Sequence, residues 1–214
     1  MSHQLVLHHY WRSSCSWRVR WALELKKIKY QSIAVNLLNQ EHLSSAFLMK
    51  NPAGQVPSLS INGENVSESI AILEWLDETY QHYPLLPQDP HDRLIVRGLV
   101  QLIASGIQPL QNLKVQKYVS GINGRQNGKE FASHWILEGF QALETRLAAG
   151  IAGSFSFGGN ITMADLALIP QCYNALRFGA PLYRFPLIKS IYDRCIATAE
   201  CHQSAPEQQP GAQP

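Results

Sequence analysis

The chain has 214 residues, 45% of them apolar and 16% charged, with a formal net charge of +2. That length suits one large or two small domains with a buried core, and a near-neutral charge without any basic run gives no electrostatic case for nucleic acid. No apolar stretch is long enough to span a bilayer, and Met1-Ser2-His3-Gln4 leads straight into an apolar run, so neither a membrane association nor a signal peptide is expected. The four cysteines (Cys15, Cys172, Cys195 and Cys201) lie far apart without CxxC spacing, which predicts reduced thiols and a cytoplasmic setting. The eight histidines fit no metal-binding spacing, and His8 and His9 on consecutive strand positions face opposite sides, so no metal site is expected.

The first part of the chain reads β-α-β-α-β-β-α. Residues 4–9 form a strand, and 14–27 a helix with Val19, Trp21, Ala22, Leu23 and Leu25 on its apolar face. Tyr30 to Val35 alternates as a second strand, and a short helical segment spans Glu41 to Met49. Val56–Ile61 and Asn65–Ser67 flank Asn62-Gly63, a two-residue hairpin signal because both positions accept positive φ. Ile70, Ile72, Leu73, Leu76 and Tyr80 then recur with helical period from Ser69 onward. Residues 84–91 read as a linker, with Asp89 as N-cap and Pro90 at the first position of the next helix.

The second part is all helical. Arg93 to Val119 is predicted as one long amphipathic helix bent at Pro109, where a backbone donor is missing. Ser120–Gly124 breaks the pattern, and Lys129–Ala149 forms the next helix. After the glycine-rich stretch Gly150–Gly159, Thr162-Met163-Ala164-Asp165 has the form of a capping box with Asp in place of Glu. Phe185-Pro186 opens a last helix to Thr198. The expected division is therefore 1–83, linker 84–91, helical domain 92–203, and a tail 204–214 that lacks apolar periodicity and is expected to be disordered.

Three loops of the first part carry chemistry. Arg12-Ser13-Ser14-Cys15 lies between a strand and a helix. The first helical N–H groups there lack intrahelical partners, and the helix dipole places about half a positive charge at that end. A thiolate or carboxylate would be held there, with Ser13 or Ser14 donating a hydrogen bond; the same serines also suit an ordinary cap. Gln55-Val56-Pro57 opens a strand, and a cis bond before Pro57 would leave the Val56 N–H and C=O available to a peptide-like ligand, whereas a trans edge proline has no such consequence. Glu68-Ser69 begins another helix, which would hold a second carboxylate or simply be capped. An anionic sulfur site, a strand edge and a carboxylate site on successive loops suit a short peptide bearing a thiol, glutathione.

At this point the sequence resembles the zeta-class glutathione transferases, specifically the maleylacetoacetate isomerase group. The resemblance runs from Leu5 to Thr198 and is carried by Ser13-Ser14-Cys15-Ser16-Trp17-Arg18-Val19-Arg20, Asn51-Pro52, Gln55-Val56-Pro57, Ser69-x-Ala71-Ile72-x-Glu74-Trp75-Leu76, Gly106-Ile107-Gln108-Pro109-Leu110-Gln111-Asn112-Leu113 and Thr162-Met163-Ala164-Asp165-Leu166. It implies the glutathione transferase fold: an α/β thioredoxin-like N-terminal domain followed by an all-α domain, assembled as a homodimer. It further implies that Ser13 and Ser14 approach the glutathione sulfur, that Cys15 lines the mouth of the site, and that Gln55, Val56 and a cis Pro57 meet the cysteinyl backbone. Glu68 and Ser69 would hold the γ-glutamyl end, with Glu68 standing where many members have Gln. His42 falls near the glycyl carboxylate position, on a loop that looks short. Gln108 and Asn112 would reach in from the helical domain, and Arg177 and Arg12 would bind a substrate carboxylate.

The activity so implied is glutathione-dependent cis–trans isomerisation of maleylacetoacetate to fumarylacetoacetate in tyrosine and phenylalanine catabolism. Thiolate addition to the enedione, rotation and expulsion would leave glutathione unconsumed. Maleylpyruvate isomerisation and glutathione-dependent dehalogenation of α-halo acids need the same thiolate and carboxylate clamp and stand as alternatives. A thiol oxidoreductase using Cys15 is a further alternative, with Arg18 where CxxC would put the resolving thiol. A non-enzymatic glutathione-binding protein would be expected to have lost the Ser or Arg positions, and this chain keeps them.

Overall fold

The computed structural model describes residues 3–123 and 127–213. They fall into two compact units, one from the chain up to Leu85 together with Thr198 onward, the other Leu86–Ala197.

The first unit is built on four strands, β1 (Leu5–His9), β2 (Gln31–Ala34), β3 (Ser58–Ile61) and β4 (Glu64–Ser67), in the order β2-β1-β3-β4. β1 runs parallel to β2, with Val6 opposite Gln31 and His9 opposite Ala34, and antiparallel to β3, with Leu7 opposite Leu59. The parallel pair needs a crossover, and α1 (Ser14–Leu25) supplies it. β3 and β4 close as a hairpin at Asn62 (φ 52°) and Gly63 (φ 93°), the positive-φ pair that the sequence predicts. A four-residue helix α2 (Ser45–Leu48) comes after a 3-10 turn at Glu41–Leu43, and α3 (Ser69–Thr79) after β4. Leu7, Leu59, Val19, Leu23, Leu73 and Leu76 form its core.

Every residue of α1 from Trp17 to Leu23 is buried, Arg18 and Arg20 included. Such a helix is covered on all sides, so its polar groups must find partners inside the protein. At its C-terminal end, the buried Lys26 Nζ pairs with Asp77 Oδ1 at 3.1 Å and donates to the carbonyls of Tyr80 (2.9 Å) and Tyr83 (3.0 Å). The same Asp77 oxygen accepts from the Leu85 N–H at 2.6 Å, so one ion pair ties the ends of α1 and α3 to the segment that leaves the unit.

The C-terminal segment departs from the sequence expectation. Instead of a disordered tail over 204–214, α9 (Ala199–Ser204) and a 3-10 turn at Pro206–Gln208 pack into the first unit, with Ser204 and Pro206 buried. The reason is polar: Trp17 Nε1 donates to Ser204 Oγ at 2.9 Å and Arg20 Nε to the Ser204 carbonyl at 3.0 Å. Apolar periodicity carries no trace of such an anchor.

The second unit contains α4 (Pro90–Ala104), α5 (Leu113–Asn123), α6 (Gly128–Arg146), α7 (Met163–Arg177) and α8 (Pro186–Ile196). Asp89 caps α4 with Pro90 at its first position, as predicted. The single helix expected over 93–119 is instead two, α4 and α5, separated by a 3-10 turn at Gln108–Gln111. Pro109 supplies no N–H, and the turn re-forms the ladder with i→i+3 bonds, Leu110 N–H to Ile107 and Asn112 N–H to Pro109. The turn is fixed to α7 by a reciprocal pair of side-chain hydrogen bonds between the buried Gln111 and Gln171, each Nε2 donating to the other's Oε1, at 2.8 and 2.9 Å. The capping box at α7 is formed: Thr162 Oγ1 accepts from Ala164 N–H, and Asp165 Oδ2 from Thr162 N–H at 2.7 Å. Asp165 Oδ1 also accepts from Ser156 N–H at 2.8 Å, so the cap pins the glycine-rich loop; burial pushes this carboxyl up, against the donors that favour its charge. α8 is capped from a distance, with Glu144 of α6 accepting from the Leu187 and Ile188 N–H groups at 2.8 and 3.0 Å. Among the described residues no helix is long and apolar enough to cross a membrane.

Candidate functional site

The turn between β1 and α1 is set by Arg20. Its Nη2 donates to the Trp11 carbonyl at 3.0 Å and its Nη1 to the Tyr10 carbonyl at 3.4 Å and to His9 Nδ1 at 3.2 Å. Because arginine is only a donor, His9 Nδ1 must accept, so Nε2 carries the proton and donates to Ser32 Oγ at 2.7 Å. Burial, with Arg20 and His8 alongside, pulls His9 down to about 3, so the ring is neutral at pH 7. Burial pulls Arg20 down to about 9, which leaves it a cation there.

On that turn, Ser13 N–H donates to the Tyr10 carbonyl at 3.0 Å, and Ser13 Oγ accepts from Ser16 N–H at 3.2 Å as the N-cap of α1. The capping role is thus real, and it leaves the Ser13 O–H available to donate. The Ser14 and Cys15 N–H groups have no partner among the described residues, so two amides, a hydroxyl and the positive end of the dipole stand together. Cys15 is partly exposed, whereas Cys172, Cys195 and Cys201 are buried, and none of the four forms a disulfide among the described residues. Arg12 is partly exposed, with its guanidinium 5.2 Å from the Trp11 ring.

The Val56-Pro57 bond is cis, and the Val56 N–H and C=O take no hydrogen bond among the described residues. Asn51 Nδ2 holds the Gln55 carbonyl at 2.8 Å. His42 lies half-buried on the 3-10 turn at Glu41–Leu43, whose backbone approaches Gly54; a Cβ there would stand 3.3 Å from the His42 carbonyl, and Gly54 adopts φ +59°.

Glu68 adopts φ 69°, sparsely populated for a residue with a side chain, and its carboxylate makes no capping bond to α3. The start of α3 is therefore presented without a side-chain cap. Ser69, its first residue, is buried and accepts from Arg18 Nη1 at 3.2 Å. Arg18, Arg20 and His9 are absent from the sequence-derived site; the available signal is two arginines among Trp17, Val19 and Trp21 on a helix with no polar face.

Within the second unit, Gln108 and Asn112 are half-buried at the two ends of the turn that Gln111 fixes to α7, and Asn112 Oδ1 accepts from Lys114 N–H at 3.1 Å. Arg177 is exposed at the last position of α7, where Nη1 donates to Asn174 Oδ1 at 3.1 Å and the guanidinium stands 5.7 Å from the Phe178 ring. Among the described residues, no group of three or more His, Cys, Asp or Glu is placed to hold a metal ion.

Comparison with known proteins points to one family. The family described as glutathione S-transferase, N-terminal domain, matches residues 12–79. The probable maleylacetoacetate isomerase 2 of Drosophila melanogaster is 44% identical over 214 residues, covering 99% of this chain and 92% of its own. A holo structure of maleylpyruvate isomerase, a bacterial zeta-class glutathione S-transferase, is 36% identical with a TM-score of 0.94, covering 97% of this chain and 100% of the other. The maleylacetoacetate isomerase of Anaeromyxobacter dehalogenans 2CP-1, with glutathione bound in its active site, is 40% identical with a TM-score of 0.90 and covers 99% of each chain. With nearly full-length matches of this kind, the chain belongs to the zeta-class glutathione S-transferases, among the maleylacetoacetate isomerases.

Proposed function

We propose that this chain is a glutathione-dependent cis–trans isomerase of maleylacetoacetate, acting as a cytoplasmic homodimer. The observation that carries the reading is the start of α1, where the Ser14 and Cys15 amides and the Ser13 hydroxyl are unengaged as donors beside one another. Unpaired Val56 backbone groups and the uncapped start of α3 suit the rest of a thiol tripeptide. Bound there, glutathione supplies the thiolate that adds to the enedione and leaves again after rotation about the former double bond.

The residues of the chain do the remainder. Ser13 or Ser14 donates to the sulfur, and the α1 N-terminus stabilises its charge; together they contribute about 1–3 kcal/mol, lowering a thiol pKa of about 8.5 by one to two units. Serine is too weak an acid to serve as the base, so donation is its role. Cys15 lines the mouth of the site. Gln55, Val56 and Pro57 position the cysteinyl backbone, Glu68 and Ser69 the γ-glutamyl end, and His42 the glycyl carboxylate. Gln108 and Asn112 contribute further contacts, while Arg12 and Arg177 orient the substrate carboxylate and supply proximity.

Maleylpyruvate is the second candidate substrate, favoured by the similarity to maleylpyruvate isomerase at a TM-score of 0.94. The deciding experiment assays the purified protein with each enedione acid, with and without glutathione. Turnover that requires glutathione and is faster on maleylacetoacetate supports the reading. Faster turnover of maleylpyruvate moves the assignment to that substrate, and no turnover of either removes it.

A further inference from the structure

The two buried arginines of α1 are satisfied very differently. Arg20 directs its nitrogens to the carbonyls of Tyr10, Trp11 and Ser204 and to His9. Arg18 is 1% exposed and its side chain makes a single hydrogen bond, Nη1 to Ser69 Oγ at 3.2 Å. Its Nε and Nη2 have no hydrogen-bond partner, and no carboxylate pairs with it among the described residues. A guanidinium enclosed without an anion is unfavourable in the free protein, and its charge is poorly screened by solvent.

The place this charge faces is the start of α3. Ser69 is the first residue of that helix, and Glu68 leaves the helix N-terminus without a side-chain cap. A hydroxyl has one donor and two acceptor sites. With Arg18 donating into Ser69 Oγ, the Ser69 proton is repelled from the guanidinium and remains available to an outside acceptor. The dipole of an eleven-residue helix adds positive potential at the same point.

We propose that Arg18 is a positioning residue for the γ-glutamyl carboxylate of glutathione, acting through Ser69. It holds that hydroxyl as a donor and places a buried positive charge behind the start of α3. The inference rests on the glutathione-dependent reading and adds to it a residue that touches no ligand. It also sets a specificity: the site selects a thiol bearing a carboxylate at that end and repels one bearing only an ammonium or a neutral amide.

The test is calorimetric titration of the full chain with two ligands, glutathione and glutathione amidated at the γ-glutamyl carboxylate. Arg18→Met should weaken glutathione about tenfold and the amide less than about twofold. Ser69→Ala should do the same, and the double variant should be no more than about twofold weaker than either single one, because both remove one coupled device. Equal weakening of both ligands would assign Arg18 to general packing and overturn the proposal, as would unchanged glutathione binding. If Arg18→Met yields no folded protein, Arg18→Lys takes its place. It keeps the charge and loses the planar fork, so a loss of about threefold confined to glutathione is expected, and a loss shared by the amide overturns it. Wild-type protein that binds no glutathione would remove the underlying reading itself, an outcome distinct from wild-type binding that Arg18→Met leaves intact.

Discussion

The carbonyl of Ser204 accepts a hydrogen bond from Arg20 Nε at 3.0 Å, so the last helix of the chain and the turn that presents Ser13 are held by one guanidinium. The other nitrogens of Arg20 grip Tyr10 and Trp11, three and two residues before Ser13. Removing residues 199–214 would therefore leave Arg20 Nε and Trp17 Nε1 without these partners inside the first unit. The expected cost is about 3 kcal/mol, since a neutral hydrogen bond contributes about 0.5–1.5 kcal/mol and one with a charged donor about 1.5–3 kcal/mol. Urea unfolding of the truncated chain checks this, and an unchanged midpoint would show that the segment is not an anchor.

His9 gives the same network a pH dependence. Its pKa is about 3 in the folded protein against 6.5 in the unfolded chain, so below pH 6.5 the unfolded state binds more protons. The contribution is complete above pH 6.5 and is lost progressively as pH falls toward 3. By pH 5 the loss should be about 2 kcal/mol. Thermal melts between pH 7.5 and 5 of the wild type and His9→Gln test it; the wild type should lose stability more steeply, and parallel curves would remove His9 as the cause.

Ser13 serves as helix cap and, in the proposed mechanism, as donor to the sulfur, and two substitutions separate these roles. Ser13→Ala should cost about 1 kcal/mol of stability, whereas Ser13→Gly should cost only a few tenths, since glycine is tolerated at an N-cap. Both remove the hydroxyl, so both should lower turnover about a hundredfold or more. Retained activity in Ser13→Gly would move the donor role to Ser14, to be checked with Ser14→Ala.

Cys15 should be helpful and dispensable. Cys15→Ala is expected to keep substantial isomerase activity, measured with maleylacetoacetate and glutathione. Complete loss, with a mixed disulfide between Cys15 and glutathione trapped in the wild type, would support thiol–disulfide exchange instead.

Much of this architecture is legible locally. The Asn62-Gly63 hairpin, the Asp89-Pro90 start and the Thr162–Asp165 capping box are short motifs whose backbone demands are met by neighbours in sequence, and each forms where its residues stand. What escapes is polar and distant. Glu144 caps a helix 43 residues away, and Trp17 anchors a serine 187 residues away. The break at Pro109 is visible; that it divides two helices through a 3-10 turn, held to α7 by the Gln111–Gln171 pair, is not encoded by any periodicity. At the site, the serine loop announces itself, while Arg18 and Arg20 read as ordinary solvent-facing charges until every side of α1 proves buried.

Replacing Arg177 is the test that would separate an isomerase from a general glutathione binder. In the proposed reading, the three loops of the first unit take up the sulfur, the cysteinyl backbone and, through Ser69, the γ-glutamyl carboxylate, which would leave an arginine on a helical segment to a second ligand. Its exposed place at the end of α7 fits a group that meets a ligand, and its contact with Asn174 at 3.1 Å constrains one edge of the guanidinium. Were it a mere surface arginine, any ion pair it made would contribute at most about 1 kcal/mol, and replacing it would leave kinetics untouched. As a carboxylate clamp it presents a planar fork that lysine cannot reproduce. Arg177→Lys should then lower kcat/KM for the enedione acid about ten- to a hundredfold, equivalent to about 1.5–3 kcal/mol, with glutathione affinity and Tm nearly unchanged. Steady-state kinetics on maleylacetoacetate and maleylpyruvate, paired with a glutathione titration, read both sides of that prediction. Unchanged kinetics on both acids would sink the clamp and leave the carboxylate to Arg12.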